Sequence, residues 1–408
     1  METRDFLRIN ARWLSAGALL AFLSSFGQTF FISVFAGEIR AAFGLGHASW
    51  GAIYTAGTGA SALAMLWAGG LTDRFRARTL GTAILVLLAA ACLSMAAVPG
   101  AWALPFVILA LRFTGQGMTS HIAMVAMSRW FVATRGRALS IATLGFAIGE
   151  AMLPVLFVAM MSLVDWRLLW VLAAAMALAG IPALRALLSR ERTPQSFAED
   201  GGGASGMLAR HWTRAEGLRH WLFWFMVPAL LGPAAFNTAF FFQQVHYAEI
   251  KGWTHLSLVA LFPLYTATAV AAMLLSGWAL DRLGTARLIP WFQLPMVGAF
   301  VIFATAGTPG GALAGLLLLA LTTGANVTLP NAFWAEFYGT RHLGSIKAMA
   351  AAVMVLGSAI GPGVTGALIG LGVGLETQYL GVAGYFVFAS AMMALGVARA
   401  RPLLARPV

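Results

Sequence analysis

Two ionisable side chains stand deep inside apolar stretches of this 408-residue chain: the arginine of "LRFTGQG", residues 111–117, and the glutamate of "AIGE", residues 147–150. A charge in hydrocarbon costs from about 2.5 kcal/mol upward on insertion scales, so each of the two is a functional candidate. Arg112 can hold an anionic solute or respond to protonation of Glu150; alternatively the two form a buried structural ion pair. Desolvation of such a pair can exceed its Coulomb gain, so stability alone is a weak reason to keep one, and the balance leans toward function.

The elements that position these residues follow from composition. The chain is 60% hydrophobic and 10% charged with a mean hydropathy of +0.83, whereas a soluble domain is about 45–50% apolar and about 25% charged. Apolar runs recur about a dozen times, each near the ~20 residues that cross a bilayer as a helix, and no period-two alternation marks a barrel. An all-α integral membrane protein follows, with twelve transmembrane helices at about residues 14–37, 49–71, 79–98, 103–127, 139–162, 168–187, 219–245, 256–279, 288–307, 312–335, 346–371 and 381–398. Counting 1.5 Å per residue, Arg112 lies about 13 Å and Glu150 about 19 Å below the outer ends of spans four and five, close enough in depth for long side chains to meet. The first run follows "METRDFLRINAR" without a small-residue cleavage signature, and is expected to stay attached.

Of the 26 Lys and Arg residues, only Arg40, Arg167 and Lys251 fall in the loops opposite to the basic ones, with Arg112 inside a span. The positive-inside rule then puts both termini in the cytoplasm, in the cell (inner) membrane. The formal charge of +12 is this asymmetry, and no basic aromatic platform points to nucleic acid. Cys92, the sole cysteine, excludes an intramolecular disulfide and a cysteine metal cluster. No His-Glu-x-x-His helix, phosphate-cradling glycine loop or Ser-His-Asp set is present, so the expectation is no enzyme, no metal site and no cofactor.

The chain repeats itself. "FFISVFAGEIR" (30–40) returns as "FFQQVHYAEIK" (241–251), "GGLTDRF" (69–75) as "GWALDRL" (277–283), and "LGFAIGEAMLP" (144–154) as "LGSAIGPGVTG" (356–366), all at spacings of about 210 residues. A duplicated six-helix unit accounts for this, with an N-terminal bundle at 1–187, a cytoplasmic linker at 188–218 containing the Gly/Ser-rich run 201–206, and a C-terminal bundle at 219–408. Gly145 and Gly149 in one copy and Gly357 and Gly361 in the other form small faces for close helix packing. Positions that differ between copies can face a solute, which makes Gln243, Gln244 and His246 candidates, or they can line the outer vestibule.

On these motifs the chain resembles the major facilitator superfamily of transporters over essentially its whole length. The family loop pattern of Gly, three residues, Asp-Arg, one residue, Gly and then bases is matched by Gly69, Asp73, Arg74 and Arg78, with Arg76 where Gly is expected, and by Gly277, Asp281, Arg282, Gly284 and Arg287. By resemblance these loops are gates, with Asp73 latched to loop arginines, for which Arg135 and Arg137 are candidates, or they are static topology clamps. Arg112, Gln116 and Gly117 match a motif that the family links to proton coupling. Glu150 stands where family exporters carry proline, which weakens a drug/proton antiporter reading.

The resemblance implies two pseudo-symmetric halves and alternating access, and the overall pattern is somewhat similar to bacterial monocarboxylate or oxalate:formate-type carriers. The expected function is therefore secondary transport of a small organic anion such as a monocarboxylate, coupled to protons, by a monomer in the lipid bilayer. The alternative is proton-linked efflux of amphipathic cations or drugs, with Glu150 as the acidic partner. Polar or amphipathic groups expected to face the interior are Gln28, Tyr54, His121, Asn237, Tyr265, Asn331 and Trp334. His121 can carry a proton or hydrogen-bond a neighbouring helix, and the Asn residues can equally be interhelical glue.

Overall fold

A computed structural model describes residues 3–131, 134–190, 206–339 and 341–404. Among them there is no strand. Twelve helical spans follow one another. In the first half they are α1 (Thr3–Leu23, continuing through irregular turns to Ala36–Phe43), α2 (His47–Ala68), α3 (Ala77–Ala96), α4 (Leu104–Leu111 to Ser120–Trp130), α5 (Arg135–Met161) and α6 (Trp166–Leu187). The second half has α7 (Trp221–Phe242, then Gln244–Ile250), α8 (Phe262–Leu283), α9 (Leu294–Thr305), α10 (Pro309–Tyr338), α11 (Leu343–Gly370) and α12 (Leu375–Ala400). Among the described residues nine helices are long and apolar enough to cross a membrane. The remaining three are α2, rich in Gly, Ser and Thr, the interrupted α4 and the short α9.

Local chemistry sets the ends. Asp165, Thr254 and Thr308 accept the backbone N–H of Arg167, Ser257 and Gly311 at 2.8, 3.2 and 3.2 Å, filling donors that a helix start leaves open. Ahead of α7, Thr213 and Glu216 form a reciprocal capping box, and the Thr213 N–H and hydroxyl hold the Glu216 carboxyl below its usual range. The repeated loop shows why one copy lost its glycine. Gly284 ends α8 at φ +75°, a conformation that disfavours a side chain, whereas Arg76 takes φ −66° and ψ 144°, open to any residue.

Two compact units are present: residues 1–198 with 241–246, and residues 199–240 with 247–408. Without a water-driven hydrophobic effect, small residues must let backbones meet. A Cβ on Gly145 of α5 would lie 1.9 Å from the Ala18 carbonyl oxygen of α1, and in the second unit a Cβ on Gly361 of α11 would lie 2.3 Å from that of Ala235 on α7. Large apolar side chains such as Val86, Leu87, Leu168, Leu274 and Leu356 point outward, as a lipid-facing surface requires.

The segment 241–246 sits in the first unit through the very repeat that pairs it with residues 30–35. The Ser33 hydroxyl donates to the Phe241 carbonyl at 2.7 Å, and Gln244 Nε2 donates to the Phe30 carbonyl at 3.1 Å and to Ser33 Oγ at 2.7 Å. Phe30 corresponds to Phe241 and Ser33 to Gln244, so each copy's polar side chain takes the other copy's phenylalanine carbonyl. Phe242 stacks on Trp50 at 5.7 Å and leans on Tyr54 at 4.7 Å. The divergent positions are thus buried within the first unit: Gln243 is 3% and Gln244 0% exposed.

At the outer edge of this contact the His47 and His246 rings are 3.9 Å apart. Gln243 shares a side-chain hydrogen bond with His47 there.

Candidate functional site

A break in α1 builds the first site. The helix tightens to a 3-10 turn at Ser24–Gly27, Gln28 is extended at φ −85° and ψ 153°, and helical winding resumes at Thr29. At the same depth α4 widens into a π-helix over Arg112–Thr119, so the "RFTGQGMT" motif is wound with i to i+5 bonds, a form that gathers at functional sites. Two glycines make the crossing possible. A Cβ on Gly115 would fall 2.6 Å from the backbone of Gly27, and one on Gly27 would fall 2.1 Å from the Leu111 carbonyl oxygen.

Into this crossing runs Arg112, 2% exposed. Its Nη1 donates to the Gly27 carbonyl at 3.2 Å and to Thr29 Oγ1 at 3.1 Å, and the Tyr54 hydroxyl donates to the same Thr29 oxygen at 2.8 Å. The Tyr54 ring lies under the guanidinium at 5.7 Å. Arg112 Nε has no hydrogen-bond partner, and its partners among the described residues are neutral. Glu150, half-buried on α5, has contacts of its own but no ion pair with Arg112. Gln28 is half-buried, and its side chain makes no hydrogen bond to described residues.

The second unit carries a matching cluster. Asn237 Nδ2 on α7 and the Tyr265 hydroxyl on α8 both donate to Thr323 Oγ1 on α10, at 3.4 and 3.3 Å. The Asn237 oxygen is buried without a partner, an acceptor open to a donor. Tyr265 lies 211 residues after Tyr54, and in each copy the tyrosine hydroxyl reaches a threonine.

Other expected residues fall elsewhere. His121 Nε2 lies 3.2 Å from the Gly69 carbonyl at the end of α2, a hydrogen bond to a neighbouring helix. Asn331 is exposed and returns its amide to Val327 of its own helix at 2.7 Å. Trp334, 2% exposed, packs with Phe223, Phe333 and Tyr338 in an apolar cluster. Gln243 belongs to the docked segment and His47.

Of the expected gate, Arg74 and Arg137 are exposed, Arg78 is half-buried with partners, and Arg282 stacks on Trp278 at 4.2 Å. The side chains of Asp73, Asp281 and Arg135 lie outside the described residues. Arg129, which sequence reasoning passed over, donates to the Thr72 carbonyl at 2.7 Å and so holds the loop after α2 together with His121. Its place as a base in the last turn of α4 was the available signal. Thr29 and Thr323 were also missed, because threonines are ordinary inside apolar runs.

The crossing of α1 and α4 sets the stability of the first site. Gly115→Ala is expected to destabilise the protein by about 1–3 kcal/mol, because backbone atoms and not a flexible side chain stand in the way. Gly59→Ala, on α2 with nothing within 4 Å of the added atom, should leave the melting temperature unchanged or higher. Equal melting temperatures for both variants would contradict the close crossing.

The description "Major Facilitator Superfamily" matches residues 17–362. No curated protein matches the chain. Among solved structures, a bacterial homologue of the human lysosomal transporter Spinster, in an inward-facing and unoccupied conformation, is similar with a TM-score of 0.76 and 16% identity, covering 98% of this chain and 99% of that one. The nucleoside transporter NupG is similar with a TM-score of 0.70 and 16% identity over 94% and 98% of the two chains. At such identity these structures share the fold, and the family match extends over most of the sequence: the chain is a multi-pass membrane protein that belongs to the Major Facilitator Superfamily.

Proposed function

We propose that this transporter moves a small organic anion such as a monocarboxylate, with Arg112 as the anchor for its charge. The observation that supports this reading is a guanidinium buried to 2% exposure with neutral acceptors and an unpartnered Nε. In a medium of low dielectric such a cation lacks a countercharge, which a carboxylate would supply bidentately. Within the first unit, Gln28 and Tyr54 offer an amide and a hydroxyl that orient a polar solute; within the second, Asn237 and Tyr265 form a polar cluster of their own on Thr323. Glu150 is the carboxyl that exchanges the coupled proton. Alternating access in the inner membrane, by a monomer with both termini cytoplasmic, completes the reading.

Arg112→Ala in proteoliposomes should cut uptake of small carboxylates by at least about 30-fold, the loss of one buried charge-assisted contact of about 2 kcal/mol. The same variant should lose the rise in melting temperature that the anion gives the wild type, since that rise needs only binding to the folded state. Wild-type uptake in Arg112→Ala would sink the reading. The half-buried Glu150 favours a second one, efflux of amphipathic cations. Stabilisation by hydrophobic cations, lost in Glu150→Gln, would select it.

The loop after α2 is the latch in this scheme, with Asp73, Arg74, Arg78, Arg135 and Arg137 as its proposed members, and Asp281 and Arg282 in the second copy. His121 and Arg129, on the carbonyls of Gly69 and Thr72, are what a latch needs to hold its shape. Asp73→Asn should slow solute exchange several-fold while leaving the binding constant within about twofold, and an unchanged exchange rate would reduce the loop to a static clamp.

A further inference from the structure

Outside the transport site the first unit has a cavity of about 340 Å³ where α3 begins and α6 ends, lined by Arg76, Arg78, Thr79, Arg185, Leu188 and Ser189. Three guanidinium groups and two hydroxyls line it, and among the described residues no acidic side chain does. The helix dipoles do not balance them. Arg76 caps α3 without a side-chain hydrogen bond, and the first turn of α3 has no acidic residue and carries Arg78, so bases crowd the end of a helix that attracts anions.

At the end of α6, where a base would be welcome, the carbonyls are already served from α1. Arg12 donates to the Ala186 carbonyl at 3.1 Å and to the Ser189 hydroxyl, and Trp13 donates to the Arg190 carbonyl at 3.0 Å. Arg185 is exposed and makes no hydrogen bond to described residues. The two helix ends are held at a fixed distance by the contact of Gly81 with Leu184, where a Cβ would lie 2.9 Å from Leu184 Cδ2.

What leads away from the cavity is apolar. Ala83, Val86 and Leu87 on α3 and Leu178, Pro182 and Ala183 on α6 are exposed along the same two helices. A basic cavity at the water boundary that opens onto an apolar flank of two spans has the chemistry of a phospholipid seat: oxyanion on guanidinium, acyl chains on the helices. We infer that this cavity binds the phosphate group of an anionic phospholipid, held by Arg76 and Arg185 with Thr79 and Ser189 as hydroxyl donors.

The full chain in neutral detergent, titrated with phosphatidylglycerol, phosphatidylcholine or inorganic phosphate, tests this through its melting temperature. Phosphatidylglycerol should stabilise the protein saturably, and the other two should not. The double variant Arg76→Gln/Arg185→Gln should need at least about tenfold more phosphatidylglycerol for half the effect. Arg214→Gln/Arg219→Gln, which removes the same charge from another surface, should titrate like the wild type. An unchanged midpoint in the first variant, or an equal loss in the second, overturns the site. Stabilisation by inorganic phosphate to the same extent overturns the lipid assignment. If the double variant does not fold, Arg185→Gln alone is read the same way, with a shift of at least about threefold expected.

Discussion

Hydrocarbon offers no hydrogen bond to a carbonyl, so a helix that breaks inside a membrane must bring its own partner. In this protein α1 breaks at Gln28, and the guanidinium of Arg112 takes the Gly27 carbonyl at 3.2 Å. The rest of the first unit's interior depends on that bond. It fixes where α4 crosses, which demands glycine at 27 and 115, and it draws Thr29 and Tyr54 into one hydrogen-bonded group. The same arrangement leaves Arg112 Nε without a hydrogen-bond partner, so the side chain that repairs the backbone keeps a donor to spare.

The two halves show how a duplicated scaffold divides labour. Tyr54 and Tyr265 hold equivalent places, and each reaches a threonine through its hydroxyl, at 2.8 and 3.3 Å. The first cluster carries a guanidinium, and the second, of Asn237, Tyr265 and Thr323, carries only neutral groups.

Much of this was legible in the sequence, and the reasons differ by element. Twelve spans could be read because apolar runs of that length have one use. The first span begins at Thr3, well ahead of residue 14, because its charged opening is helical in water and hydropathy registers only the charge. The break at Gln28 and the π-winding of α4 leave no mark on hydropathy, since both are changes of ladder and not of polarity. Arg112, Tyr54, Asn237 and Tyr265 stood out as polar groups in apolar surroundings. Matching depth suggested that Arg112 and Glu150 meet, but depth carries no azimuth, and Arg112 bonds the Gly27 carbonyl and Thr29 instead. Trp334 and Asn331 satisfied the same polarity test and proved to be packing and self-bonded, which a lone residue type cannot reveal.

The contact of residues 30–33 with 241–244 has the form of a two-fold seam, in which each side gives the other what it receives. Before duplication such a seam joins two identical chains, and one residue has to serve as both ends. Once both copies lie in one chain, the ends can change separately, provided that their combined reach still spans the gap. Here the short end is a serine and the long end a glutamine. Lengthening one while shortening the other preserves the span, whereas lengthening both overfills it. Positions 33 and 244, 211 residues apart in the chain, are therefore constrained as one pair: a change of length at either end calls for a compensating change at the other.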